Sequence, residues 1–186
     1  MKIAVVGGIG SGKSEVLKKV ASMGVATLSA DEINAELLTS PDYIASLKSL
    51  FPTAVKEGAV DKRALAQIVF KDEGARKALN ALAHPLILKR IREDARSPLV
   101  VEVPLIFESG AKELFDVVVF VKTPLEMRKQ RLVENRAMRE EDATARIAAQ
   151  VDEEQYLNIA DYTIAGDSTI ADLYAKTEEL FATLLK

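Results

Sequence analysis

Hydrophobic and polar positions change period along the chain. Five short runs are dense in apolar and β-branched residues: Met1 to Val6, Val25 to Leu28, Leu99 to Val103, Val117 to Val121 and Tyr162 to Ile164. Between them apolar residues recur three and four apart, as in Val16-Leu17 and Val20-Ala21 after the first run. Short strands separated by amphipathic helices predict an α/β fold with a five-stranded parallel sheet. The first helix runs to about Met23, where Gly24 suits a left-handed C-terminal stop.

About 70 residues separate the second and third runs, more than a crossover needs. They read as helices from Pro41 to Leu50, Asp61 to Phe70, Glu73 to Ala83 and Pro85 to Arg96. Their stripes, Leu65-Ile68-Val69, Ala75-Ala78-Leu79-Leu82 and Leu86-Ile87-Ile91, read as core packing. The segment 32–96 is therefore a helical insertion after the second strand, within a single domain spanning 1–186.

The first run leads into Gly7-Gly8-Ile9-Gly10-Ser11-Gly12-Lys13-Ser14 and then the first helix. Strand, glycine-rich loop and helix form the context in which this spacing acts as a phosphate-binding loop. Gly8, Gly10, Ser11, Gly12, Lys13, Ser14 and Glu15 are its candidate nucleotide contacts. Lys13 suits the β- and γ-phosphates, and the Ser14 hydroxyl suits Mg²⁺. A nucleoside triphosphate with Mg²⁺ is the expected donor.

Composition removes other chemistries. The chain has 186 residues, no cysteine and one histidine, which excludes disulfides, thiolate nucleophiles and a histidine-rich metal site. A net charge of −3 argues against general nucleic-acid binding. The apolar runs are too short to span a membrane, and the N-terminus reads as a core strand rather than a signal peptide. A cytoplasmic protein, monomeric or weakly homo-oligomeric, is expected.

Asp31 follows the second strand and is either a helix N-cap or a carboxylate that accepts the proton of an attacking hydroxyl or helps hold the metal's waters. Glu102 is an acid inside the apolar run Val100 to Val103, a costly placement that suggests contact with Mg²⁺ or a basic residue. His84-Pro85 reads as a helix boundary with proline at the first helical position. The segment 123–151 is rich in arginine and reads as a helical lid, although its acids nearly balance that charge. A guanine-reading Asn-Lys-x-Asp segment is missing, which turns the reading from GTPases toward small-molecule kinases.

These residues together resemble the dephospho-CoA kinase family over nearly the whole chain. The resemblance rests on Gly7 to Ser14, Ala30-Asp31, Arg63-Ala64-Leu65 and His84-Pro85-Leu86-Ile87. It extends through Val103-Pro104-Leu105-Ile106-Phe107-Glu108, Arg131-Leu132, Arg146 to Gln150 and Ala160-Asp161. It implies a P-loop three-layer fold with insertion and lid, and transfer of the ATP γ-phosphate to the ribose 3′-hydroxyl of dephospho-CoA. Asp31, Lys13 and Arg131 would then be catalytic, with Arg136 also on the nucleotide. Asp31, Arg63, His84, Pro104, Leu105 and Glu108 would frame the acceptor, with Ser14 and Glu102 toward the metal. Val6, Glu15, Ser29, Asn135 and Gly166 depart from the family pattern. Other readings are a P-loop kinase for another small molecule or nucleotide, and a catalytically weakened nucleotide-binding regulator.

Overall fold

In the computed structural model the described residues are 1–104, 106–109 and 111–186, without the side chains of Glu108, Ser109 and Arg136. The chain opens with strand β1 (Lys2–Val6), helix α1 (Lys13–Ser22) and strand β2 (Ala26–Ser29). Helices α2 (Ala30–Leu37) and α3 (Pro41–Leu50) follow, then the short strands β3 (Val55–Lys56) and β4 (Ala59–Val60). Helices α4 (Lys62–Lys71) and α5 (Glu73–Glu93) lead to strand β5 (Leu99–Glu102) and the short α6 (Ile106–Ser109). Strand β6 (Val117–Lys122) precedes α7 (Leu125–Arg136), α8 (Glu140–Ala148) and α9 (Glu153–Ile159), and the chain closes with β7 (Tyr162–Ala165) and α10 (Ile170–Leu184).

Two compact units result: Met1–Ser29 with Ala95–Lys186, and Ala30–Asp94. The first is built on a five-stranded parallel sheet in the order β2-β5-β1-β6-β7. Alternate strand residues face opposite ways. Ile3, Val5, Val100, Val119, Val121 and Ile164 form one core with Val16, Leu17 and Val20 of α1 and with Leu173 and Phe181 of α10. On the other face Phe120 stacks on Tyr156 of α9, ring centroids 5.2 Å apart. Helices thus cover both faces, as an all-parallel sheet requires. The strand order reverses at β1, and the glycine-rich loop leaves its carboxyl end there, where open α/β sheets bind ligands.

The second unit has its own core of Tyr43, Leu47, Phe51, Ala54, Val55, Leu65 and Ala83. The Asp61 carboxylate caps α4 by accepting from the Ala64 N–H at 3.0 Å. Two features differ from expectation. The separate helices expected over Glu73 to Ala83 and Pro85 to Arg96 are one helix, α5, with Pro85 inside it. Ala75, Ala78, Leu79, Leu82, Leu86 and Ile87 all pack on the same core, so the apolar stripe keeps its helical phase across the proline. Asp31 is not an N-cap but the second residue of α2.

Candidate active site

Gly12 stands at the N-cap of α1 with φ 102°, a left-handed conformation that glycine adopts without strain. Its carbonyl accepts from the N–H groups of Glu15 at 3.0 Å and Val16 at 3.1 Å. The N–H groups of Gly10, Gly12 and Ser14 have no protein acceptor among the described residues. Unpaired N–H groups at a helix start make an anion site. The Ser11 N–H turns back to the Gly8 carbonyl at 3.2 Å and helps shape the loop.

Around this loop the side chains converge. Lys13 is buried, donates from Nζ to the Gly8 carbonyl at 3.1 Å, and lies 3.9 Å from Oε1 of Glu102. The Ser14 hydroxyl donates to Oε2 of the same carboxylate at 3.2 Å. Glu102 ends β5, in register with Val5 of β1 and Ser29 of β2. The acid inside the apolar run therefore pairs with the lysine and serine of the loop.

Beyond β6, the Thr123 hydroxyl lies 2.9 Å from the Ser11 carbonyl and 3.2 Å from that of Gly166, tying the loop to the segment after β7. A Cβ on Gly166 would overlap Thr123 Oγ1 and come within 3.0 Å of the Ser11 carbonyl. That crowding leaves no room for a side chain at Gly166. From α7, Arg131 donates through Nη2 to the Gly166 carbonyl at 3.0 Å, with weaker 3.4 Å contacts to the Gly10, Ser11 and Ser168 carbonyls.

One helical turn earlier, Arg128 donates from Nε to the Ile9 carbonyl at 2.9 Å and from Nη2 to Oε1 of Gln150 at 2.7 Å. The same Gln150 oxygen accepts from the Ile9 N–H at 2.7 Å. Burial lowers the Arg128 pKa, opposed by the charges of Tyr156 and Glu153. At this arginine's ordinary value, lowering of this kind leaves the guanidinium charged.

Glu15 is committed elsewhere. Its N–H serves Gly12, and its carboxylate accepts from Lys18 at 2.6 Å and from the Tyr174 hydroxyl of α10 at 2.7 Å. The Lys18 hydrogen bond chiefly holds its pKa below the ordinary glutamate value. Both of its polar groups thus have protein partners, and neither is turned to an anion in the loop.

The other expected acceptor residues lie mostly in the second unit. Asp31 is exposed in the first turn of α2, and Arg63 is exposed in the first turn of α4. His84 sits mid-way along α5 with Nε2 buried and without a partner among the described residues. Pro104 is half-buried after β5. Leu105 and the side chains of Glu108 and Arg136 lie outside the described residues.

The structure thus gathers Gly8, Gly10, Ser11, Gly12, Lys13, Ser14, Glu102 and Arg131 in one place and keeps Asp31, Arg63 and His84 in the other unit. Sequence reasoning did not single out Thr123 or Tyr174, and it carried Arg128 only as one basic residue of the lid and Gln150 only as part of the family motif. The partners of these four residues lie 22 to 159 residues away, and no local period reports such contacts.

A family model described as CoaE: Dephospho-CoA kinase matches residues 1–172. The chain belongs to the dephospho-CoA kinase family. By that family it is a kinase. The dephospho-CoA kinase of Streptomyces avermitilis is 36% identical to it over 100% of this chain and 94% of that protein. A crystal structure from Thermus thermophilus superimposes with TM-score 0.84 at 34% identity, covering 99% of this chain and 97% of that one. The dephospho-CoA kinase of Campylobacter jejuni does so with TM-score 0.73 at 30% identity, covering 99% and 98%. Some relatives are longer: the chain spans 46% of the dephospho-CoA kinase of Mycolicibacterium paratuberculosis, at 36% identity over 97% of this chain. Among the described residues, no helix is long and apolar enough to cross a membrane.

Proposed function

We propose that this chain transfers the γ-phosphoryl group of ATP to the ribose 3′-hydroxyl of dephospho-CoA, releasing CoA and ADP. The observation that carries this reading is the cluster of Lys13, Ser14 and Glu102 beside a loop whose Gly10, Gly12 and Ser14 N–H groups lack protein acceptors among the described residues. Lys13 exchanges its contact with the Gly8 carbonyl for the β- and γ-phosphates. Arg131, already on the loop, adds positive charge where the transferring group gathers negative charge.

Transfer is direct and in line. The acceptor oxygen bonds to the γ-phosphorus as the bond to the β,γ-bridging oxygen breaks, and that electron pair leaves with ADP. Asp31 accepts the hydroxyl proton, a role the family resemblance supports and its exposed carboxylate permits. Arg63 and His84 of the second unit, with Pro104, Leu105 and Glu108 after β5, bind the acceptor.

The Ser14 hydroxyl and the Glu102 carboxylate are hard oxygen donors that fit Mg²⁺. Among the described residues no cluster of three or more His, Asp or Glu side chains forms a metal cage. That suits an ion held by one or two protein oxygens and the substrate phosphates. When bound, Mg²⁺ would offset charge on the β- and γ-phosphate oxygens.

The test is ADP release from ATP and Mg²⁺ with and without dephospho-CoA, beside nucleosides, nucleotides and shikimate. Release that depends on dephospho-CoA is expected. Release with another acceptor alone would replace the substrate, and ATP binding without turnover on any acceptor would replace the enzyme by a regulator. Asp31→Asn is expected to lower kcat by about 100-fold or more with ATP binding intact. Near-normal turnover in that variant would remove Asp31 as the base.

A further inference from the structure

We propose that Arg128 and Gln150 are positioning residues that hold the phosphate loop in its nucleotide-binding shape by clamping both polar groups of Ile9. This rests on the reading that Gly7 to Ser14 receives the nucleotide phosphates. Ile9 lies inside that loop, yet its N–H donates to Gln150 Oε1 at 2.7 Å and its carbonyl accepts from Arg128 Nε at 2.9 Å. Its neighbours differ: the N–H groups of Gly10, Gly12 and Ser14 have no protein acceptor among the described residues. The loop is therefore divided into an anchored residue and unpaired donors. Arg128 Nη2 bonds the same Gln150 oxygen at 2.7 Å, so three hydrogen bonds close a ring through Ile9, Gln150 and Arg128.

Two glycines make room for this ring. A Cβ on Gly8 would overlap the Arg128 guanidinium, and one on Gly10 would lie 2.8 Å from the Arg128 carbonyl. Part of the glycine content of the loop thus serves the approach of α7 as well as that of phosphate. The chemistry of the clamp needs a planar cation with directed donors. Nε and Nη2 diverge along one edge of the guanidinium and reach two acceptors at fixed angles. A lysine ammonium carries the same charge from a flexible stem and does not reproduce that fork. Fixing Ile9 before the ligand arrives removes part of the ordering cost of binding, the usual gain from preorganisation. The clamp also ties nucleotide affinity to the junction after α8 that carries Gln150.

A direct phosphate contact by Arg128 is the competing role, and lysine separates the two. ADP binding to the full chain is measured by calorimetry for Arg128→Ala, Arg128→Lys, Gln150→Ala and the double Arg128→Ala/Gln150→Ala variant. KM for ATP and for dephospho-CoA is measured in parallel. Each single variant, lysine included, is expected to weaken ADP binding by roughly tenfold, the scale of one charge-assisted hydrogen bond. KM for ATP should rise with it while KM for dephospho-CoA holds. The double variant should lose less than the product of the single losses, because both residues act on Ile9 and bond one another. Hydrogen exchange at the Ile9 amide should be protected in the parent and fast in Gln150→Ala.

Parent-like ADP affinity in Arg128→Lys would overturn the clamp in favour of charge alone, and fully independent losses would overturn it as a unit. If Arg128→Ala does not fold, the lysine and Gln150→Ala variants still decide. Failure of the parent to phosphorylate dephospho-CoA would overturn the acceptor assignment and leave the ADP series able to decide this one.

Discussion

Glu15 looks out of place beside a triphosphate until its partners are named. Lys18 sits one turn along α1, and Tyr174 reaches it from α10. The acid thus fastens the loop helix to the last helix while its charge is met by Lys18. Hydrogen bonding with Lys18, and secondarily with Tyr174, holds the Glu15 pKa down, and the bond to Glu15 raises that of Tyr174. A lowered carboxylate contributes stability above its unfolded pKa and loses it as pH falls through the folded value. A raised phenol contributes stability below its unfolded pKa and loses it as pH rises through the folded value. Tyr174→Phe should therefore lower the thermal midpoint by roughly 1–3 °C at neutral pH, small for a chain of this size. The gap from the parent should narrow toward both acid and alkaline pH in melts followed by circular dichroism. A gap independent of pH would show that the hydroxyl does not act through the Glu15 carboxylate, and the absence of any gap would show that Tyr174 acts through its ring alone.

At the level of elements, the five sheet strands were legible within a residue or two, because short β-branched runs between amphipathic stretches have few other solutions. Helix α3 and the start of α4, with Asp61 before it, were legible for the same reason, apolar phase with a polar cap. Helix α2 was not, since Ile33 is its one buried residue and a single apolar position carries no period. The β3–β4 hairpin was not, because two-residue strands show no alternation. Pro85 misled for a different reason. Proline starts helices as readily as it interrupts them, and the continuous stripe from Ala75 to Ile87 was the better guide. Its price is a missing N–H inside α5, on an exposed face. Pro85→Ala should therefore stabilise the protein by about 1–3 kcal/mol, read as a higher midpoint in urea at unchanged slope. A lower midpoint would mean that the ring makes packing contacts worth more than the backbone bond.

Across the whole molecule the chemistry divides as the chain does. Loop, Glu102, Arg131 and the Arg128–Gln150 clamp share the unit built on the parallel sheet, and Asp31, Arg63 and His84 share the helical unit Ala30–Asp94. Each unit closes its own core, so a substitution at a proposed contact is expected to act first on the ligand assigned to that contact. His84 gives the sharpest case. A buried nitrogen without a hydrogen-bond partner is costly in a protein interior and needs a reason. If that reason is the acceptor, His84→Ala removes an unpaired polar atom from the free protein and a hydrogen bond from the complex. KM for dephospho-CoA should then rise roughly tenfold, with ADP affinity unchanged and the thermal midpoint steady or higher. Lys13→Ala should show the reverse pattern, a loss of kcat and of ATP affinity without weakened dephospho-CoA binding. Were His84 a structural residue, its loss would lower the midpoint and leave KM alone. Steady-state kinetics on both substrates, run beside a melt of each variant, separates these outcomes because binding and folding would move in opposite directions.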